Sequence, residues 1–362
     1  MCNSVLHICA YSANYKGNFI ESLNYLAKKD TQRKHIYLFS ENSKRTNASN
    51  WIKEINNKGV RAYIQKESFF ENIILLKKIM KENDVSCVIR HFSDGKIDLI
   101  LKLFFPNIKI IRFFHSSYNV NFNSLRHKIN QIIYKNNILV GVSELVLDQC
   151  KTMFPKNKTL LIENAIFFKR LDKDGDVNFP EKQGSIALLT MGYNIFIKGT
   201  DLAIEAVEKI RKTENAVLYI VVASSMDSMT NYLKEKYAGV IPSWIVLLQP
   251  TENIGTYYRN VDIFLSPSRS EAFGYAVVEA AYCKNTIVAS KVGGQAQLLI
   301  DGVYWFETEN VEDLTQKIRL AISQLKTEEK IADRKQVAID VQKEYSLEIW
   351  SDKFLALIDE IS

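Results

Sequence analysis

Two carboxylates, Glu271 and Glu279, stand with seven residues between them in the stretch from Ser266 to Glu279, with a glycine at 274 and an otherwise apolar run around it. Burying an unpaired carboxylate is costly, so a Glu in apolar surroundings needs a partner. A ligand can be that partner. Pro267 ends a strand, and Ser268 or Ser270 can cap the helix that follows. Free amides at a helix start favour anions, and Gly274 lets a ligand approach the backbone closely. Glu271 at the mouth then suits hydrogen bonds from a polyhydroxylated group. Glu279, one or two turns into the helix, would accept from a second pair of hydroxyls. A diphosphate with a sugar on one side and a ribose on the other satisfies both.

The surrounding sequence supplies the elements that must hold such a loop. Short runs rich in β-branched and aromatic residues alternate with longer stretches of helical period, which predicts an α/β fold with a largely parallel sheet. In the first half, strands are expected at Val5 to Cys9, His35 to Phe39, Arg61 to Ile64, Val85 to Ile89, Lys109 to Phe113 and Ile138 to Val142. Helical patterns run over Phe19 to Lys28, Ile73 to Asn83, Lys96 to Phe104 and Leu125 to Lys135. The polar, Gly- and Pro-punctuated segment 171–184 reads as a linker. The alternation then restarts, with strands at Ile186 to Thr190, Val217 to Val222, Ile245 to Leu248, Ile263 to Ser266 and Thr286 to Ala289. Beyond Val311 the chain turns helical and charged. The expected organisation is an N-terminal Rossmann-like domain over 1–170, the linker, a second such domain over 185–345, and a last helix over 346–362 that can pack back on the first domain. In open parallel sheets ligands bind beyond the carboxyl ends of strands, so the loops after Cys9, Thr190 and Ser266 are the places to look.

The 362 residues suit two domains, and no stretch is of low complexity. The net charge of +6 hides an asymmetry. Residues 1–170 carry 27 Lys and Arg against 13 Asp and Glu, a balance of +14, while the remainder carries 20 against 28, a balance of −8. A basic half attracts an anionic membrane surface, nucleic acid or a phosphate-bearing substrate. Five scattered cysteines with no metal-ligand spacing fit a reducing compartment. The short apolar run from Val5 to Ala10 is not a secretion signal, and no run reaches the roughly 18 residues of a spanning helix. A cytoplasmic protein is expected, one that can associate with the inner face of the cell membrane.

The stretch around the two glutamates resembles the retaining glycosyltransferases of family 4, which have the GT-B fold. The resemblance covers nearly the full length. Their Pro-Ser-x-x-Glu-x-Phe-Gly context followed by Glu-Ala is matched by Pro267, Ser268, Glu271, Phe273, Gly274, Glu279 and Ala280. The resemblance implies two Rossmann-like domains facing a central cleft, with a C-terminal helical tail. It implies that Glu271 contacts the donor sugar at the reacting face, that Phe273, Gly274 and Tyr275 hold sugar and phosphates through their amides, and that Glu279 binds the ribose. Met191-Gly192-Tyr193 and Lys198-Gly199 match the spacing of the family's diphosphate element, which assigns Lys198 to the phosphates. Tyr193 stands where that element has Arg. His115, in Phe113-Phe114-His115-Ser116, closes a strand as the family's cleft-facing His does, and can hydrogen-bond a sugar hydroxyl. His91 has a similar placing. Gly17 occupies the first strand-to-helix loop, where the family puts a glycine near the diphosphate. After the last core strand, Val292-Gly293-Gly294 is followed by Ala296-Gln297 where the family has Pro-Glu.

The expected activity is retaining transfer of a hexosyl or N-acetylhexosaminyl group from a nucleotide-diphosphate sugar, of UDP type, to a hydroxyl, in bacterial surface polysaccharide or glycoconjugate synthesis. The acceptor would be a saccharide, a lipid-linked sugar or a protein glycan. No bound metal or other cofactor is expected, as the chain has no Asp-x-Asp motif placed to hold one. The alternative is an inactive relative that binds sugar nucleotides or scaffolds a partner, which Tyr193 favours. A nucleic-acid partner is not expected, because the basic half lacks aromatic-basic repeats and a helix-turn-helix signature. The basic segments Leu75 to Lys81 and Arg126 to Lys135 have the pattern of amphipathic helices that can lie on an anionic membrane.

Overall fold

The computed structural model describes all residues except 1, 2, 12, 14, 15, 45–47, 58, 93–95, 118–123, 174–178, 182, 183, 223–225 and 362, with 43, 44, 48, 49, 96 and 126 described by backbone alone. Cys2, the middle of the expected linker and the Arg126 side chain lie outside the described residues. The chain divides into two compact units, Met1–Ala165 with Leu347–Ser362, and Ile166–Ser346.

The first unit is a parallel sheet of β1 (Ser4–Cys9), β2 (Lys34–Phe39), β3 (Arg61–Ile64), β4 (Val85–His91), β5 (Lys109–Phe114), β6 (Ile138–Gly141) and β7 (Thr159–Leu161). Their spatial order is β3-β2-β1-β4-β5-β6-β7. Between them run α1 (Gly17–Lys29), α2 (Ala48–Asn57), α3 (Phe69–Glu82), α4 (Lys96–Phe104), α5 (Leu125–Ile133) and α6 (Glu144–Met153). The second unit holds β8 (Ile186–Met191), β9 (Ala216–Val221), β10 (Ile245–Leu248), β11 (Ile263–Ser266), β12 (Thr286–Ser290) and β13 (Tyr304–Phe306), in the order β10-β9-β8-β11-β12-β13. Its helices are α7 (Thr200–Ile210), α8 (Met226–Lys236), α9 (Ile254–Arg259), α10 (Tyr275–Tyr282), α11 (Val311–Gln324) and α12 (Glu328–Glu344). The last helix, α13 (Leu347–Ile361), belongs to the first unit.

Strands buried on both faces read as continuous apolar runs, as in β9 and β11, because helices cover each side of a parallel sheet. Both sheets reverse strand order once, between β1 and β4 and between β8 and β11. In α13, Phe354 is fully buried and stacks on Phe113 with ring centroids 4.9 Å apart. Lys29 of α1 pairs with Asp352 of α13 at 2.6 Å.

The division between units differs from the expected one after residue 170. Ile166, Phe168 and Leu171 are buried in the core of the second unit, and the Ile166 amide donates to the carbonyl of Tyr345 at 2.9 Å. Their apolar side chains therefore carry Arg170 with them. Four elements beyond those expected are α2, α6 and the three-residue strands β7 and β13, the latter two too short to leave a period.

Candidate active site

Strand order reverses between β8 and β11, so the loops leaving their carboxyl ends lie side by side, where open parallel sheets take ligands. The loop after β8 carries Lys198 and the loop after β11 carries Glu271. Lys198 Nζ lies 2.6 Å from Glu271 Oε2, and the Ser268 hydroxyl donates to the same oxygen at 3.4 Å. The two side chains keep 28% and 17% of their surface exposed, so a ligand can reach them.

Arg269 ties these loops together. Its guanidinium forms a bidentate pair with Asp201, both contacts at 2.8 Å, and donates to the Phe196 carbonyl at 2.7 Å. Its backbone amide donates to the Ile197 carbonyl at 2.8 Å, and its charge lies 4.1 Å from the centroid of the Phe196 ring. The segment carrying Lys198 is thus held on both sides by one arginine. Gly199 has a φ of +63°, and a Cβ there would come 1.8 Å from the Pro267 carbonyl oxygen. Only glycine permits that approach.

Behind Glu271 stands the Gly293-Gly294 pair. The Gly294 amide donates to the Glu271 carbonyl at 2.7 Å, and a Cβ on Gly293 would lie 2.1 Å from that oxygen. Gln295, fully buried, donates to the Ser290 carbonyl at 2.7 Å and accepts from the Ser266 hydroxyl at 2.8 Å. The ends of β11 and β12 are therefore locked to the backbone of Glu271. The family-like glycines act here as packing for the glutamate loop.

The helix after this loop is not capped by a serine. α10 starts at Tyr275, its N-cap is Gly274 at φ +109°, and no side chain caps it. Neither Ser268 nor Ser270 serves as the cap, because the left-handed turn at Gly274 lies between them and the helix. Phe273 is buried among the core residues of the unit and meets Tyr345 edge-on at 5.7 Å. Its side chain is therefore structural, and its contribution to the loop is its backbone. Tyr275 is half-buried.

Glu279 is buried, with a protein partner on each oxygen: Arg170 on Oε1, and the Tyr258 hydroxyl donating to Oε2 at 3.1 Å. Burial would lower the Arg170 pKa, but the Glu279 carboxylate outweighs it and the net shift is upward, with Tyr193 near enough to add to it. Burial, then the Glu279 charge, pushes the Tyr258 phenol well above its usual value. A ribose reaching Glu279 would share it with Arg170.

In the first unit, Gly17 is the first residue of α1, at φ +55°. His115 follows β5 and is half-buried, and burial pushes its pKa down to about 3. The structure thus brings Lys198 and Glu271 into contact and sets Phe273, Gly274, Tyr275 and Glu279 on the same loop and helix. Gly17 and His115 belong to the other unit. Reasoning from sequence missed Arg269, Arg170 and Tyr258. Arg269 sits inside the Ser266 to Glu279 stretch, so its charge was visible there, whereas Arg170 and Tyr258 are brought to Glu279 only by the folded chain.

Two doubly wound parallel units of this kind share the fold of the GT-B glycosyltransferase structures. Residues 176–337 match the family Glycosyl transferases group 1. An uncharacterized glycosyltransferase of Methanocaldococcus jannaschii is 25% identical over 285 residues, 70% of this chain and 76% of that protein. The sucrose synthase of Melioribacter roseus is 25% identical over 73% of this chain, which spans only 35% of that enzyme's length. Among solved structures, a glycosyltransferase from Rickettsia africae superposes with a TM-score of 0.79 at 22% identity, covering 99% of this chain and 98% of its own. The Anabaena HepE protein in complex with UDP superposes at 0.78 with 12% identity, covering 99% and 100%. These matches show the GT-B fold over the chain and likeness to the Glycosyl transferases group 1 family over residues 176–337.

Proposed function

We propose that this protein is a retaining glycosyltransferase that moves a hexosyl or N-acetylhexosaminyl group from a nucleotide-diphosphate sugar to a hydroxyl acceptor. The observation that carries the reading is the Lys198–Glu271 pair at the strand-order reversal, set in a glycine-lined loop ahead of the side-chain-uncapped start of α10. An ammonium beside a helix start favours a diphosphate. Once the donor binds, Lys198 exchanges Glu271 for the phosphates and stabilises the charge that grows on the leaving group. Glu271, released from Lys198 and still held through Ser268 and its own backbone, accepts from hydroxyls of the donor sugar. The incoming hydroxyl attacks the anomeric carbon on the face the diphosphate leaves, and a departing phosphate oxygen takes its proton. That sequence keeps the anomeric configuration. The group 1 match and the fold shared with the UDP complex of HepE support a UDP-type donor.

The acceptor reading is bacterial surface polysaccharide or another glycoconjugate, taken from a saccharide, a lipid-linked sugar or a protein glycan. A membrane-bound acceptor is supported by two helices of the basic unit. On α3, Phe70 and Ile74 are exposed in line with the exposed Lys77, Lys78 and Lys81. On α5, Leu125, Ile129 and Ile132 are exposed beside Lys128 and Lys135. Apolar and cationic residues on one exposed helix face suit the interface of an anionic bilayer. Among the described residues no helix is long and apolar enough to cross a membrane.

A second reading, an inactive relative that binds sugar nucleotides, is favoured by Tyr193 and by the Arg170 partner on Glu279. Incubation with a panel of UDP-, GDP- and ADP-sugars and candidate acceptors separates the two. Release of the nucleoside diphosphate with a new glycoside supports the transferase, and thermal stabilisation by the nucleotides with no turnover of any donor supports the second reading.

A further inference from the structure

In the first unit, four of the chain's five histidines stand one to a strand across four adjacent strands. His35 lies on β2, His7 on β1, His91 at the end of β4, and His115 one residue past β5. The ladder pairs Val5 with His35, Ile89 with His7 and Phe113 with His91. Each histidine therefore sits two residues beyond the ladder partner of the one before, and residues two apart share a face. The rings form a diagonal file on one face of the sheet, ending at its carboxyl edge.

The ring nitrogens touch in sequence. His35 Nδ1 is 2.8 Å from His7 Nε2, His7 Nδ1 is 3.4 Å from His91 Nε2, and His91 Nδ1 is 3.1 Å from His115 Nε2. At the far end His35 Nε2 is 3.1 Å from Oδ2 of the buried Asp30. Aromatic rings wall the file: Phe92 stacks on His115 at 4.1 Å, and Phe19 meets His91 edge-on at 5.1 Å. Among the described residues no three His, Cys, Asp or Glu converge on a point where a metal could sit, so the rings form a line and not a cage.

The direction of this line is set at Asp30. Burial raises the Asp30 pKa, but the hydrogen bond from His35, the Gln32 amide and Arg33 outweigh it and the net shift is downward. The carboxylate is ionised and only accepts. As a neutral imidazole, His35 then donates through Nε2, which leaves its Nδ1 to accept. A neutral imidazole has one donor and one acceptor, so every ring downstream follows the same polarity. Burial holds His7 and His91 neutral, helped at His91 by the Arg90 charge. The last ring, His115, is left with Nε2 protonated and Nδ1 as a lone-pair acceptor.

We propose that the Asp30–His35–His7–His91 file fixes His115 as its Nε2–H tautomer, so that His115 Nδ1 accepts a hydrogen bond from a hydroxyl of the bound substrate. Asp30, His35, His7 and His91 are positioning residues. The hydroxyl partner rests on the glycosyl-transfer reading, whereas the tautomer stands without it.

Asp30→Asn reverses the logic. Asp30 Oδ1 accepts from the amides of Gln32 and Arg33 at 3.1 and 3.2 Å and Oδ2 from the Arg33 guanidinium at 3.0 Å, so an asparagine that keeps its carbonyl oxygen on the two amides gives up the guanidinium contact and turns its NH2 toward His35. His35 Nε2 must then accept, and each ring in turn donates through Nδ1. The test is long-range 1H–15N correlation on the full chain carrying ring-15N histidine, at pH 7.5. The wild type is expected to show His7, His35, His91 and His115 all as Nε2–H, and Asp30→Asn to show all four as Nδ1–H. An imidazolium or an Nδ1–H tautomer at any of the four in the wild type would overturn the proposal. So would an unchanged His115 in a folded Asp30→Asn protein. If Asp30→Asn does not fold, His35→Leu cuts the file and is expected to leave His115 as a tautomer mixture, and a single Nε2–H there contradicts the proposal. With the donor identified by the transfer assay, Asp30→Asn is expected to lower kcat/KM about 10-fold, the worth of one hydrogen bond. A reversed tautomer with unchanged kcat/KM removes the hydroxyl partner and leaves the tautomer assignment standing.

Discussion

Glu271 and Lys198 neutralise each other at 2.6 Å, so the glutamate needs no other charge. This explains how a carboxylate survives in that loop, and on the proposed reading Lys198 is a cation exchanged when a donor binds. Lys198→Met should lower kcat by about 10²- to 10³-fold, the usual cost of losing one stabilising charge at a leaving group, with thermal stability nearly unchanged. Steady-state kinetics with the preferred donor check this, and a loss confined to KM would assign Lys198 to ground-state binding alone. At this scale the sequence spoke clearly where the chemistry is local. Glu271 and its glycine turn lie within one stretch, and Lys198 follows a strand at the spacing of a known element. Glu279 was legible as a carboxylate needing a partner. Its partners Arg170 and Tyr258 lie 109 and 21 residues away, and only folding brings them to it.

Elements decide how firmly those residues are held. Arg269 joins the end of the β8 loop to the start of α7 through Asp201 and the carbonyl of Phe196. The guanidinium is largely buried, and its pKa is raised, first by the Asp201 hydrogen bond. Arg269→Ala should destabilise the protein by about 2 kcal/mol, the order of hydrogen bonds to a charged group, and raise the donor KM because the Lys198 loop loosens. Arg269→Lys should recover only part of both, since a lysine cannot make the bidentate pair. Urea unfolding and donor titration read the two effects, and a lysine variant equal to wild type would show that charge alone suffices. Strand and helix positions were legible because parallel strands and amphipathic helices leave different periods in the sequence. The cap of α10 was misassigned, because a serine that looks like a cap bonds instead to Glu271 and the turn is made by Gly274. A lone serine signals a hydroxyl but not its direction.

The whole chain carries a charge division that neither residues nor elements display. The half up to residue 170 has a balance of +14 and the rest −8. The first unit also bears the exposed Phe70, Ile74, Leu125, Ile129 and Ile132. The protein should therefore sediment with vesicles containing phosphatidylglycerol and stay free of phosphatidylcholine vesicles, with binding weakened at 0.5 M salt in line with screening over about 4 Å, between the 10 and 3 Å Debye lengths of 0.1 and 1 M. Equal binding to both vesicle types would set aside the electrostatic part of this reading. Two domains were legible from length and from the restart of the strand pattern. Their division was not, because Phe168 and Leu171 follow the first sheet in sequence but are buried in the second unit.

On the proposed function, glycosyl transfer by this chain depends on Glu271. The direct test is a transfer reaction followed by proton NMR, with wild type and Glu271→Ala compared at equal folded concentration. The wild type should yield a nucleoside diphosphate and a glycoside with the donor's anomeric configuration, while Glu271→Ala should lose about 10³-fold in rate with its unfolding transition intact. A Glu271→Ala protein that transfers sugar at the wild-type rate would contradict the account.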